Sequence, residues 1–416
     1  MLFPTRLARF ISFLLAVFIP PLSVFFGIVG KITVRDPEGE MRAIREKSGF
    51  IAGVCHPRPE YDRIKTANIG WIRQDIPLPF DENGNVTRSY QNVKENLRKY
   101  VENGIQVMAV TPNPYSYLAA GLDIRNEEDI PQIQQIARFY VQDLRDIVGL
   151  FQVCNEMGVD RFTKPFTLDE AAKFIGVQLE AMYPLRGNIR IGYNLGGLGI
   201  LQLPKLMKPY NQYADYVGAD LYFGSFENVV KSLDTYTAVL KAIHAVTRKP
   251  LILAEFGYIG CGEPKTDEEK QRILEQYGVH SEEEARENID AFIEKLPEPL
   301  HDEFEEYYAD LSAKEKADLL FKGEFAHHLY RELSEGVSLR GYAHTPDGQA
   351  KFFADLIPKL KALDFLMGTF VYMWDDSEFC YICGQADCPI ETGWGIVDGQ
   401  GVEKPAYYAV QKAFAD

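Results

Sequence analysis

Eight short apolar runs alternate with longer amphipathic stretches, which predicts an α/β fold around a parallel sheet. Eight βα units are also the number that closes a (β/α)8 barrel of the TIM class. The runs are rich in Ile and Val, as strands covered on both faces are. Setting aside an apolar leader and one acidic insertion leaves roughly 300 residues, within the range of a single barrel.

The leader comes first. Residues 10–30, FISFLLAVFIPPLSVFFGIVG, are 21 positions without a charge, preceded by Arg6 and Arg9 and followed by Lys31. That length crosses a bilayer. The Pro20-Pro21 pair is expected to kink it, so a cleaved signal with its apolar stretch at Phe10–Ile19 is the competing reading. No small-x-small cleavage site follows, which favours an anchor. Arg6 and Arg9 on the short leading side orient the N-terminus inward. The expectation is a membrane-anchored protein with its globular part extracytoplasmic, and secretion as the alternative. Residues 1–40 are then anchor and linker, and residues 41–416 the barrel.

The expected strands are Phe50–Cys55, Ile69–Arg73, Ile105–Val110, Val148–Cys154, Ile189–Tyr193, Tyr216–Tyr222, Leu251–Glu255 and Met367–Trp374. Helices are expected near Gln91–Glu102, Pro131–Asp146, Leu168–Met182, Phe226–Val246 and Gly348–Leu363, with a last one after Pro405. Those after the first and fifth strands are weakly marked. Residues 263–340 break the rhythm with 22 acidic against 10 basic residues, a net of −12 within the chain's −16. Stretches such as DEEKQRILEQYG predict a helical insertion on the C-terminal face, where insertions near barrel sites accumulate. A net charge of −16 argues against nucleic acid or an anionic membrane surface as the main partner. Aromatics at 12% suit a site that stacks flat ligands, although packing alone also uses them.

In such a barrel, side chains at the C-terminal ends of the strands build the site. Reading those ends gives Cys55-His56, Arg73, Thr111–Asn113, Asn155-Glu156, Asn194, Tyr222, Glu255 and Trp374. Two glutamates stand out, in LFQVCNE and LILAE, because each ends a buried apolar run. Glycoside hydrolysis needs two carboxyls, one protonated to help the leaving oxygen depart and one ionised to attack or to activate water. Strands four and seven are not neighbours, so their ends face each other across the barrel mouth.

With these residues in place, the chain resembles the retaining glycosidases of clan A, similar to the family 5 and family 2 catalytic domains, over most of residues 48–416. The resemblance implies that Asn155-Glu156 is the Asn–acid/base pair ending strand four and that Glu255, in PLILAEFG, is the nucleophile. Arg73 (WIRQD) and Tyr222 (ADLYFG) then match the arginine and tyrosine that hold the nucleophile ionised, and Trp374 (FVYMWDD) the tryptophan that floors the sugar subsite. The tail GWGIVDGQGVEKPAYYAVQKAF matches the closing segment of these barrels. Asn113, in VTPNP, stands where several families carry histidine, and His56 (VCHPRPEYD) is expected either to line the site or to be structural. The implied partner is a β-linked carbohydrate, with no cofactor and no metal in the reaction. The implied carboxyl separation is about 5–5.5 Å, against about 6.5–9.5 Å for inversion. A transglycosylase using the same two glutamates, or a barrel that binds glycan without turning it over, are the rivals.

The cysteines form two groups. Cys55 and Cys154 read as small buried residues. Cys261 and the CYICGQADC group, Cys380, Cys383 and Cys388, lie on loops that are neighbours in a barrel. A four-thiolate zinc site is one reading, and at least one disulfide is the favoured one in an exported protein. His327-His328 is expected at the surface of the insertion, and the other histidines show no metal-ligand spacing.

Overall fold

The structure is a computed structural model that describes residues 5–33, 49–197, 199–322, 325–333 and 336–416. The expected boundary between leader and barrel, at residues 40–41, lies outside these. Eight parallel strands close in chain order: β1 (Ile51–Cys55), β2 (Trp71–Asp75), β3 (Gln106–Val110), β4 (Val148–Val153), β5 (Arg190–Leu195), β6 (Tyr216–Leu221), β7 (Leu251–Phe256) and β8 (Leu366–Val371). β8 pairs back onto β1, with Gly53 beside Phe370, so the barrel has no free edge. Ile51, Trp71, Met108, Leu150, Tyr216 and Ile252 fill its interior. The fit is tight: a Cβ on Gly149 would come within 2.8 Å of the Trp71 ring.

A larger apolar layer lies between the strands and the helices around them. These helices stand where hydrophobic periodicity puts them, at Arg88–Glu102, Ile130–Asp143, Leu168–Met182, Pro346–Lys361 and Pro405–Ala415. Leu168–Met182 starts where a capping box dictates, with Thr167 accepting from the Glu170 N–H and Glu170 accepting from the Thr167 N–H. The weakly marked helices are short: Tyr61–Thr66 after β1, and Gly199–Leu206, with Pro204 inside it, after β5. After β6 the helix spans only Asp234–Thr247, not the expected Phe226–Val246. Glu227 accounts for the difference, because its carboxylate accepts the N–H groups of Val229 and Val230, both at 2.7 Å, and stabilises a loop instead.

The leader is one helix, Thr5–Thr33, which continues through Pro20-Pro21 and is long and apolar enough to cross a membrane. It lies along the flank of the barrel, where the Ser12 hydroxyl donates to the Val229 carbonyl at 2.7 Å and Lys241 donates to Ser23 at 3.1 Å.

Between β7 and Pro346–Lys361 the chain folds into the helices Asp267–Gln276, Glu282–Glu287, Ile289–Ile293, Glu298–Tyr308, Ala313–Lys322 and Phe325–Tyr330. Their inner faces form a core with the loop after β8, joining Ile289, Phe292, Phe304 and Leu320 to Ile390 and Trp394. Charges stay outside in pairs such as Arg286–Asp318 and Lys316–Asp290. Arg161 reaches Glu303 at 3.4 Å, so these helices also touch the loop after β4. His327 and His328 are buried, against expectation, because Phe325–Tyr330 is covered all round. The favoured disulfide does not form. All six cysteines are free, and Cys261 is exposed while Cys380, Cys383 and Cys388 are buried.

Candidate active site

The inner face of β2 carries Arg73, which is 1% exposed. A guanidinium cannot be buried bare, and each of its three nitrogens donates a hydrogen bond. Nη1 donates to Glu255 Oε1 at 2.5 Å, Nη2 to Asn155 Oδ1 at 2.5 Å and Nε to Gln152 Oε1 at 3.2 Å. One side chain therefore ties together the C-terminal ends of strands two, four and seven. The second carboxylate oxygen of Glu255 accepts from the Tyr222 hydroxyl.

Glu255 faces inward because the sheet breaks its register beside it. Ala254 belongs to the barrel interior, while Leu253 and Phe256 belong to the outer layer. Two successive residues, Ala254 and Glu255, thus point inward, and the pairing with β8 slips between Leu253 and Phe256. Such irregularities re-aim single side chains.

On the opposite wall, Cys154 (φ 63°) and Glu156 (φ 48°) both adopt left-handed backbone. Neither is glycine, so the turn is strained and is held by its neighbours. Asn113 Oδ1 accepts the Asn155 N–H at 2.7 Å, Asn194 Oδ1 accepts the Glu156 N–H at 2.8 Å, and Thr111 Oγ1 accepts the Cys154 N–H at 3.2 Å. Gly196 passes directly beneath, and a Cβ there would lie 2.6 Å from that of Glu156. Burial pushes the Glu156 carboxyl up to about 8, the negative charge of Glu255 adds to this, and Arg73 opposes it.

Asp220, one residue from the end of β6, is a third buried carboxyl, paired in register with Glu255. It accepts from Asn194 Nδ2 at 2.5 Å, and burial followed by the Glu255 charge holds it well above the ordinary carboxyl range. The site therefore holds one cation and three carboxyls. Burial favours the neutral forms of Glu156 and Asp220, while Glu255 sits directly against Arg73.

The aromatic floor differs from the expected one. Trp374 is 0% exposed, its indole N–H donates to Glu60 at 3.0 Å, and its ring packs edge-on against Tyr407, so it cannot stack on a sugar. Tyr372, the first residue after β8, lies at the mouth instead. Its ring meets Tyr222 edge-on at 5.7 Å and His56 at 6.1 Å, and its hydroxyl donates to Glu391 at 3.5 Å. Trp394 backs Tyr222 at 5.1 Å. His56 is partly exposed beside Tyr372, and its backbone N–H donates to the Arg73 carbonyl at 3.1 Å.

The structure thus brings Arg73, Asn113, Asn155, Glu156, Tyr222 and Glu255 into one connected group, places His56 at its rim and takes Trp374 out of it. Gln152, Asp220, Tyr372 and Gly196 belong with the group and were missed in the sequence. Period-2 alternation had a signal for two of them, since Gln152 and Asp220 point to the same face as residues at the strand ends.

No protein-family model matches this chain, and no curated protein matches it by sequence. Solved structures match by shape. The GH53 catalytic domain of Ignisphaera aggregans is 14% identical over 88% of this chain and 96% of its own, with a TM-score of 0.53. A glucosidase from Croceicoccus marinus is 10% identical over 88% and 67%, with a TM-score of 0.51. A GH2 β-galacturonidase from Eisenbergiella tayi, bound to glycerol, is 13% identical with a TM-score of 0.50, and this chain spans about half its length. At these identities the likeness shows a shared barrel fold.

Proposed function

We propose that the protein is a retaining β-glycosidase working by double displacement. The observation that carries this is the opposed environment of two carboxyls at one barrel mouth. Glu255 is bonded through one oxygen to a buried guanidinium and through the other to a phenol. Glu156 is held up at about 8 and is protonated at neutral pH.

In this reading Glu255 attacks the anomeric carbon while Glu156 gives its proton to the leaving oxygen. That leaves a glycosyl ester on Glu255 and a Glu156 carboxylate. Glu156 then takes a proton from water as the water attacks the same anomeric carbon, the bond from that carbon to the Glu255 oxygen breaks, and Glu255 leaves as a carboxylate with Glu156 protonated again. Arg73, Gln152 and Asn194 donate to, or hold, the oxygen of Asn155, so the Asn155 amide hydrogens are the part presented to a sugar hydroxyl. Tyr372 forms the apolar floor. Asn113 and Gly196 act through position, by fixing the turn that aims Glu156.

The leader, as a membrane tether with the barrel extracytoplasmic, suits an enzyme acting on polymeric or surface-bound glycans. Screening the detergent-solubilised full chain on aryl β-glycosides and β-linked polysaccharides tests the reading. Turnover that disappears in Glu255→Ala is expected, and turnover unchanged in that variant would overturn it.

A further inference from the structure

We propose that His328, Cys380, Cys383 and Cys388 form a structural zinc site that fastens the helical insertion to the loop after β8. The four ligand atoms all lie within 4.8 Å of one another. His328 Nδ1 is 3.5 Å from the Sγ of both Cys380 and Cys388. A tetrahedral zinc with Zn–S of about 2.3 Å and Zn–N of about 2.0–2.1 Å sets S···N edges of about 3.5–3.6 Å. The two separations on this protein therefore already match two of the three S···N edges of that tetrahedron.

The chemistry selects the ion. Three thiols and an imidazole are a soft donor set, suited to zinc and unsuited to magnesium or calcium. A multi-iron cluster would distribute its thiolates over several iron atoms and spread them further apart. The three cysteines are 0–1% exposed and His328 is 6% exposed, which leaves no open coordination position and marks a closed, structural site. Pairing cannot satisfy the group, because three cysteines allow one disulfide and leave an odd buried thiol.

The backbone is shaped to the task. Cys380 and Cys383 form a C-x2-C turn that closes through Gly384, at φ 70°, with the Gly384 N–H donating to the Cys380 carbonyl at 2.7 Å and the Cys380 N–H to the Gln385 carbonyl at 2.9 Å. Cys388 stands just before the short helix Pro389–Thr392. His328 arrives from Phe325–Tyr330, more than fifty residues away in sequence. Loading the ion releases the thiol protons to solvent and leaves thiolates on the metal. The strip it fixes runs from Cys388 to Trp394 and includes Glu391, so it supports Tyr372 and Tyr222 from behind. Cys261, the fourth thiolate in the zinc reading that the sequence left open, is exposed and outside the group.

The site stands on its own geometry and is independent of the glycosidase reading. The full-length protein, purified without chelator, should carry one zinc per chain by mass-spectrometric metal analysis. Exchange into cobalt(II) should give the intense visible bands and sulfur-to-metal charge transfer of a tetrahedral thiolate site. Cys388→Ser and His328→Ala should each weaken zinc retention at least about tenfold against a competing chelator. The cobalt spectrum of the unaltered chain needs no variant to fold. A disulfide among Cys380, Cys383 and Cys388 in peptide maps of unreduced protein would overturn the proposal. So would a chain that takes up neither zinc nor cobalt, or Cys388→Ser and His328→Ala variants that retain zinc as tightly as the unaltered chain.

Discussion

Glu156→Gln removes one titration and one proton shuttle while leaving the shape of the side chain intact. The carboxyl it replaces titrates near 8, raised first by burial and then by Glu255. It acts as an acid only when protonated, so its contribution is present below that pH and is lost as pH rises through it. At pH 7 about nine-tenths of the sites carry the proton, and each pH unit above 8 removes about tenfold of the active form. For substrates with poor leaving groups, kcat/KM should be level toward pH 8 and then fall about tenfold per unit. In Glu156→Gln that limb should vanish. Aryl glycosides with good leaving groups need no proton, so their first step should survive, while hydrolysis of the intermediate slows by about 10²–10⁴ for want of a base. Stopped-flow measurement of aryl release should show a burst followed by slow turnover. In Glu156→Ala, which vacates the carboxyl's space, azide, a nucleophile that needs no deprotonation, should restore turnover and yield a β-glycosyl azide. An alkaline limb unchanged in Glu156→Gln would refute the reasoning. A β-azide from Glu255→Ala instead would reverse the two roles.

Three other substitutions test the supporting residues. Tyr222→Phe deletes a hydrogen bond to Glu255 and should lower kcat/KM by at least about tenfold, with a loss of about 1.5–3 kcal/mol in denaturant unfolding. Trp374→Ala should cost about 3–5 kcal/mol in denaturant unfolding, as a fully buried aromatic does, whereas Tyr372→Ala should reduce kcat/KM with a smaller loss of stability. Gly196→Ala should lose activity with the circular dichroism retained, because its new methyl can be accommodated only by moving Glu156.

The barrel was legible because continuous apolar runs bounded by polar turns have few alternative uses, and their ends pointed to Arg73, Glu156 and Glu255 without knowledge of any contact. Trp374 shows where that reading stops. The run FVYMW is apolar throughout, so nothing local marks Val371 as the last paired residue, and a two-residue error exchanges a floor for a core side chain. Glu255 itself faces inward only because the register slips, which alternation along one strand cannot reveal. The buried His328 was hidden for a different reason. Its burial depends on how the insertion folds over the loop after β8, a contact between distant segments that leaves no periodic trace in either. Asp220 was legible in principle, two residues before Tyr222 on the same face, but a carboxyl inside an apolar run carries no sign of its neutral state.

Double displacement requires Glu255 to form a covalent bond to the sugar. Proton NMR of the first product released from an aryl β-glycoside tests this directly, recorded before mutarotation sets in. Two displacements at one carbon return the original configuration, so the β-anomer should appear first and the α-anomer only later. Initial release of the α-anomer would mean that water attacks directly, and Glu255 would not be the nucleophile.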